Sequence, residues 1–350
     1  MLRNRCLLFF MLSATAWRLF LNKKTEQILK LLAGLAVAIL TIWLTFRKTN
    51  WTELGSIIAS AGWVGAAAVI PMLAASYIFR IYRWVALLKQ VGTVSKKVAT
   101  SPLLTGFMLN SVLPGRLGEF ARSGLLAGKT SMPFSSVLAT VVVARLFDGL
   151  TLTCLTLVVM GAMWEALSTV VRSGLIAAGA GYILILFVLA ALGKWHEKTS
   201  VVLVRPLRKA GAAGLSEKLE KALFDFARGL AVLRNPAEVF RVVAFSACVW
   251  LSLCLSVIPV FIALNIEWSW YYPALVLVLA GFGMLIPTPA GTGTVHYALG
   301  VIFPAVTGIP EAQAKAMAIF FHATQFFPII IAGLISSKGN MKGLSRSEES

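Results

Sequence analysis

Charge is scarce in this chain, and acidic charge scarcest of all. Asp, Glu, Lys and Arg make up 13% of the residues, and only 14 residues are acidic. A soluble domain carries about 25% charged residues, so a water-exposed globular fold is excluded. Cysteine is as rare: of Cys6, Cys154, Cys248 and Cys254, three lie in apolar segments and none has metal-ligand spacing. A disulfide framework is therefore not expected. The three histidines, His196, His296 and His322, stand alone and make no metal set. There is no Ser-His-Asp order, no Cys-x-x-Cys, no phosphate-binding Walker loop and no dinucleotide glycine pattern. No catalytic constellation, metal or cofactor is expected, and the longest charged segment, 194–241, is too short for a typical catalytic domain.

What is present is oil. Hydrophobic residues make up 58% of the 350, and mean hydropathy is +0.83. This composition specifies an all-α polytopic membrane protein. Runs long enough to cross the hydrocarbon are 28–46, 63–79, 135–163, 173–193, 242–264 and 316–337. Residues 1–24 read as a basic arm on the cytoplasmic face, although Ala14-Thr-Ala16 leaves a signal peptide or a misplaced start open. Residues 25–337 form one transmembrane domain and 338–350 a polar cytoplasmic tail. A short loop is expected at 49–62. The segment 194–236 is basic, and Leu219, Leu223, Phe226 and Leu230 recur at helical spacing, as in a helix lying on the membrane surface.

Two further apolar stretches are broken rather than continuous. Residues 98–127 are interrupted by Pro114 and Gly115, and the uncharged stretch from Trp268 to Pro310 by Pro287, Pro289, Gly291 and Gly293. Each reads as a re-entrant hairpin. The net charge of +18 tests this layout. Of the 32 Lys and Arg, 27 fall in segments 1–30, 80–134, 194–241 and 338–350, and three fall in the loops assigned to the other side. The asymmetry fits six full spans, two hairpins and both termini in the cytoplasm; the location expected is the plasma membrane, the inner membrane of a bacterium. It also explains the basic character without nucleic acid. Proline- and glycine-broken segments in corresponding positions of two halves are the sequence mark of an inverted pair around a transport site.

The densest chemistry lies at 110–128. Arg116, Glu119 and Arg122 recur every three residues, and on a helix they share one broad face. Gly118 leaves bare backbone beside them. Two readings stand: a lipid phosphate site, since guanidinium forks fit phosphate oxygens, or an internal Arg–Glu lock. Arg145 and Asp148, at i and i+3 inside a span, read as an ion pair, with Asp148 the better candidate for proton coupling. Arg80, Arg83 and Trp84 read first as interfacial anchors and second as recruiters of anionic headgroups. A helix opening near Thr294 would aim its N–H groups at a cavity, with His296 in its first turn as a candidate proton carrier.

At Leu113-Pro-Gly-Arg-Leu-Gly-Glu-Phe-Ala-Arg122 the sequence resembles the flippase-like family that includes the membrane region of lysylphosphatidylglycerol synthase. Three more stretches agree in order: Arg80-x-x-Arg83-Trp84, Ala144-Arg-Leu-Phe-Asp-Gly-Leu150 and Pro287-Thr-Pro-Ala-Gly-Thr-Gly293. The resemblance implies a helical membrane domain with re-entrant helices that moves lipids or lipid-linked molecules between leaflets. Two departures stand out. Ala290 replaces a family glycine and His296 a family acid, which argues against a cationic headgroup at that end. The family's soluble aminoacyl-transfer domain is also missing from the 350 residues, so synthase chemistry is not expected. The partners expected are membrane lipids with anionic or zwitterionic headgroups, or an envelope-biosynthesis enzyme.

Overall fold

The computed structural model describes residues 32–113, 116–165, 213–230, 235–286 and 288–348, with residue 232 and scattered positions from 169 to 184. The basic arm, most of the 173–193 span, and the breaks at Pro114, Gly115 and Pro287 lie outside the described residues. In chain order the helices are α1 (Leu32–Phe46), α2 (Trp51–Ala59), α3 (Trp63–Ala67), α4 (Val69–Leu88), α5 (Lys96–Val112) and α6 (Leu117–Lys129). They continue as α7 (Phe134–Ala162), α8 (Ala213–Leu230), α9 (Pro236–Ala263), α10 (Tyr272–Gly283), α11 (Thr294–Thr307) and α12 (Glu311–Glu348). Among the described residues there is no strand.

Val64–Leu88, Phe134–Ala162, Pro236–Ala263 and Glu311–Ser337 are long and apolar enough to cross a membrane, and α1 with α2 makes a fifth if that bent pair is one span. Of the six spans expected, four or five are found among the described residues. The 49–62 loop is corrected too. Asn50 accepts from the backbone N–H groups of Thr52 and Glu53 and starts α2, which leaves α1 at 91°. A side-chain cap satisfies donors that a helix start leaves bare. Leu54 is buried, with Ile57 and Ile58 packed against the core, so a helix forms where the polar residues pointed to a loop.

α4 and α9 form an antiparallel pair through the centre. At one end Gly62 N–H donates to the Ala263 carbonyl at 2.8 Å; at the other Lys89 Nζ lies 3.6 Å from Glu238 Oε1. α7 lies against α4, α6 and α9, and α8 packs on α7, where Ser136 Oγ donates to the Asp225 carbonyl at 2.6 Å. The amphipathic 194–236 segment is therefore a packed helix over 213–230 rather than a surface element alone.

The two broken stretches fold as helix pairs. α6 has 13 residues and α10 has 12. At 1.5 Å per residue they reach about 20 and 18 Å, short of the ~30 Å hydrocarbon core. α5 and α6 cross where Gly106 meets Gly118: a Cβ on Gly118 would overlap the Gly106 carbonyl oxygen and stand 2.7 Å from the Asn110 nitrogen. In the second pair Ala290, Gly291 and Gly293 have φ of 53°, 69° and 85°, so the helix is broken there as the residues required. Gly293 also presses on α1, where a Cβ would overlap Thr41 Oγ1 and the Ala38 carbonyl. The 289–291 turn lies against α5, which brings the second break to the first pair.

The Gly118 crossing predicts a sharp asymmetry among α6 glycines. Gly118→Ala should destabilise the protein by about 1–3 kcal/mol or more, because backbone must move. Gly128→Ala, with nothing within 4 Å of the new Cβ, should be neutral or stabilise by up to about 1 kcal/mol. Thermal unfolding of both variants in detergent checks this; a matched fall in Tm would refute the crossing.

Candidate functional site

Arg80 and Arg83 sit near the C-terminal end of α4, three residues apart and turned to one side. The expectation of interfacial anchors is corrected: Arg83 is 3% exposed. Its Nη1 donates to Asp148 Oδ1 at 2.7 Å and to Ser246 Oγ of α9 at 3.0 Å. Arg80 Nη1 lies 3.9 Å from Asp148 Oδ2, and Arg145 Nη1 donates to that oxygen at 3.0 Å. Asp148 thus holds three guanidinium groups from two helices. The i, i+3 pair read from the sequence is present, but it is one arm of a larger set.

Glu119 joins through Arg145 rather than through Arg116 or Arg122: its Oε1 is 2.6 Å from Arg145 Nε. That contact is an ion pair without hydrogen-bond alignment, since neither atom has a hydrogen-bond partner. The lock expected inside α6 is therefore a bridge between α6 and α7. Arg116 does not share a helical face with the other two. It precedes α6 in the left-handed region at φ 56°, and its side chain is exposed. The three-residue spacing misleads here because the helix begins one residue later.

Arg122 is the unusual member. It is 4% exposed, and its Nε and Nη2 have no hydrogen-bond partner. No carboxylate lies within ion-pair distance of it among the described residues. Aromatic faces take its place: its Cζ is 5.2 Å from the Trp84 ring centroid and 5.7 Å from that of Phe107. Phe107 also receives Arg80 at 5.0 Å and Arg145 at 5.2 Å, and Tyr77 meets it edge-on at 5.5 Å. Trp84 is held by donation of its Nε1 to Thr140 Oγ1 at 3.0 Å. Phe107, Thr140 and Ser246 carry no sequence signal, since each lies inside an apolar run.

Four guanidinium groups therefore meet two carboxylates inside the protein. An unpaired buried charge costs several kcal/mol, whereas a cation–π contact returns about 0.5–2 kcal/mol. A separate set, Lys89, Arg241 and Glu238, closes the nearby ends of α4 and α9.

At the second break, Thr288 and Thr294 hydroxyls are 3.2 Å apart, and His296 Nδ1 accepts from Gly293 N–H at 3.4 Å. The start of α11 is thus partly satisfied from within the chain. His322 of α12, expected to stand alone, is brought to His296 with ring centroids 4.7 Å apart, between Phe46 and Phe326. No third metal-ligating side chain joins them among the described residues. A separation of 26 residues hid this pair.

The arrangement is that of an integral membrane protein with a buried, cation-rich core beside broken helices. The chain belongs to the family described as the lysylphosphatidylglycerol synthase TM region, which matches residues 31–333. It is similar to "Glycosyltransferase AglD" of Haloferax volcanii, 24% identical over 95% of this chain and 57% of that protein. It is also similar to "UPF0104 membrane protein MJ1078" of Methanocaldococcus jannaschii, 27% identical over 65% of this chain and 92% of that one. The chain spans just over half the length of the first.

Asp148→Asn should cost about 3–5 kcal/mol, because it strands Arg80 and Arg83 and leaves Arg145 with Glu119 alone. Glu119→Gln leaves Arg145 paired with Asp148 and should cost clearly less. Unfolding midpoints in detergent decide: equal losses would remove Asp148 from the centre of the network.

Proposed function

We propose that this protein is a flippase-like lipid transporter, moving a phospholipid or lipid-linked precursor between leaflets without enzymatic chemistry. The observation that carries this is Arg122, buried and without a carboxylate or a hydrogen-bond partner on its Nε and Nη2. Intramembrane cations of that kind mark substrate paths, and its fork fits a headgroup phosphate. Exposed Arg116, at the mouth of the same helix, would receive the headgroup from the cytoplasmic leaflet, and partly buried Arg80 and buried Arg83 would add to the positive field around Arg122.

The topology proposed with it would be six spans and two re-entrant hairpins, α5–α6 and α10–α11, arranged as an inverted pair with both termini in the cytoplasm of a bacterial inner membrane. The short reach of α6 and α10 and the asymmetry of Lys and Arg favour it. Headgroups would pass between the hairpins with acyl tails left in the bilayer. Asp148, Glu119 and His296 are the side chains available for proton linkage.

A second reading follows from the glycosyltransferase name of one relative. The chain would then serve as the membrane-embedded partner or part of an enzyme of lipid or glycan assembly, docking through the exposed Lys221 and Arg228 of α8.

Reconstitution in liposomes with labelled phospholipids and a polyprenyl phosphate, reading headgroup exposure on each leaflet, separates the two. The transporter reading expects movement that Arg122→Ala reduces by about tenfold or more and Arg116→Ala reduces less. Loss of function in cells on charge reversal at Lys221 and Arg228, with Arg122→Ala tolerated, would instead select the partner reading.

A further inference from the structure

The charge balance of the buried cluster carries a statement about which headgroup it takes. Arg80, Arg83, Arg122 and Arg145 face Asp148 and Glu119, leaving two positive charges in excess. Among the described residues no other carboxylate lies within ion-pair distance of these four guanidinium groups. Both carboxylates are already held by guanidinium groups, Asp148 by three and Glu119 by one. An incoming ammonium group would have to compete with these guanidinium groups for either one.

The free donors have a definite shape. Arg122 leaves Nε and Nη2 without partners, and these two N–H groups form one edge of the guanidinium fork. That edge grips two oxygens of one phosphate. Arg83 Nε is buried and unpartnered in the same cluster. The Arg122 Cζ lies over the Trp84 and Phe107 rings, and the unpartnered donors are on its Nε–Nη2 edge.

We infer that the cluster is a site for a dianionic phosphomonoester headgroup, and that it discriminates against headgroups bearing an amine. This rests on the lipid reading above and deepens it. A phosphomonoester carries close to two negative charges above its second pKa, near 6. It therefore neutralises the excess, whereas a phosphodiester cancels half of it. A zwitterionic or aminoacylated headgroup brings its own cation to a site that already holds two positive charges in excess, which adds like-charge repulsion.

The test is a binding series on the purified full chain in detergent at pH 8. Tail-matched phosphatidic acid, phosphatidylglycerol, phosphatidylcholine and lysyl-phosphatidylglycerol are titrated, with glycerol 3-phosphate as a tail-less competitor. The expected order is phosphatidic acid tightest, by on the order of tenfold over phosphatidylglycerol, with the other two weaker still. Arg122→Gln should erase the monoester preference, and Arg122→Lys, which keeps charge without the fork, should retain only part of it. The wild-type ranking decides even if the variants misfold: equal or tighter binding of the diester, zwitterionic or lysyl lipid overturns the inference. Displacement by glycerol 3-phosphate at the lipid's own concentrations keeps the anion class but overturns a lipid as its source. If the ranking holds while no lipid crosses liposomes, this inference stands and the transport reading falls. Transport without monoester preference gives the reverse.

Discussion

One carboxylate holds the centre of this protein together. Asp148, on α7, receives Arg83 and Arg80 from α4 and Arg145 from its own helix. Arg145 reaches on to Glu119 of α6, and Arg83 to Ser246 of α9. Four helices are thereby tied through a single buried negative charge. In a hydrocarbon surrounding, helices gain little from hydrophobic contact with one another, so such polar ties weigh more in choosing a packing. The excess of arginine makes the same tie unfinished. A core that only needed to be stable would balance its charges or dispense with them.

Around this centre, close approach is supplied by small residues. Gly106 and Gly118 let α5 and α6 touch backbone to backbone, and Gly65 sits against Ala263 where α3 meets α9. Gly333 of α12 meets Met108 of α5, and Ser101 Oγ donates to the Ser336 carbonyl at 2.9 Å across the same interface. The first helix pair is therefore clamped between α7 on one side and α12 on the other. The second pair is held by α1, through Gly293, and by α12, through the His296–His322 contact. Both broken helices thus lean on rigid rods, as expected of backbone that departs from a helix at membrane depth.

The likeness to relatives covers unequal shares of their lengths, and this bears on how function is read. Nearly the whole chain aligns with little more than half of a glycosyltransferase, and about two thirds of it aligns with nearly all of a protein described only by its membrane location. Neither name assigns a chemistry to the residues that align, so the argument for function has to rest on the side chains of this chain.

Composition and periodicity alone determined the class of protein, the positions of the long helices and the places where helices must break. Long apolar runs can satisfy their backbone only as helices, and Gly291 and Gly293, at positive φ, interrupt one of them. Charge asymmetry likewise follows from the loops without reference to contacts. The partners of the ionisable residues were decided only by tertiary structure. Arg80 and Arg83 look like anchors because anchors and buried ion pairs share the same residue types near a helix end; burial against α7 and α9 separates them. Arg116 and Arg122 look equivalent by spacing, yet a left-handed residue before α6 puts one outside and the other within. The aromatic walls and the meeting of His296 with His322 depend on which faces of distant helices touch, and that is a property of packing that no local pattern encodes.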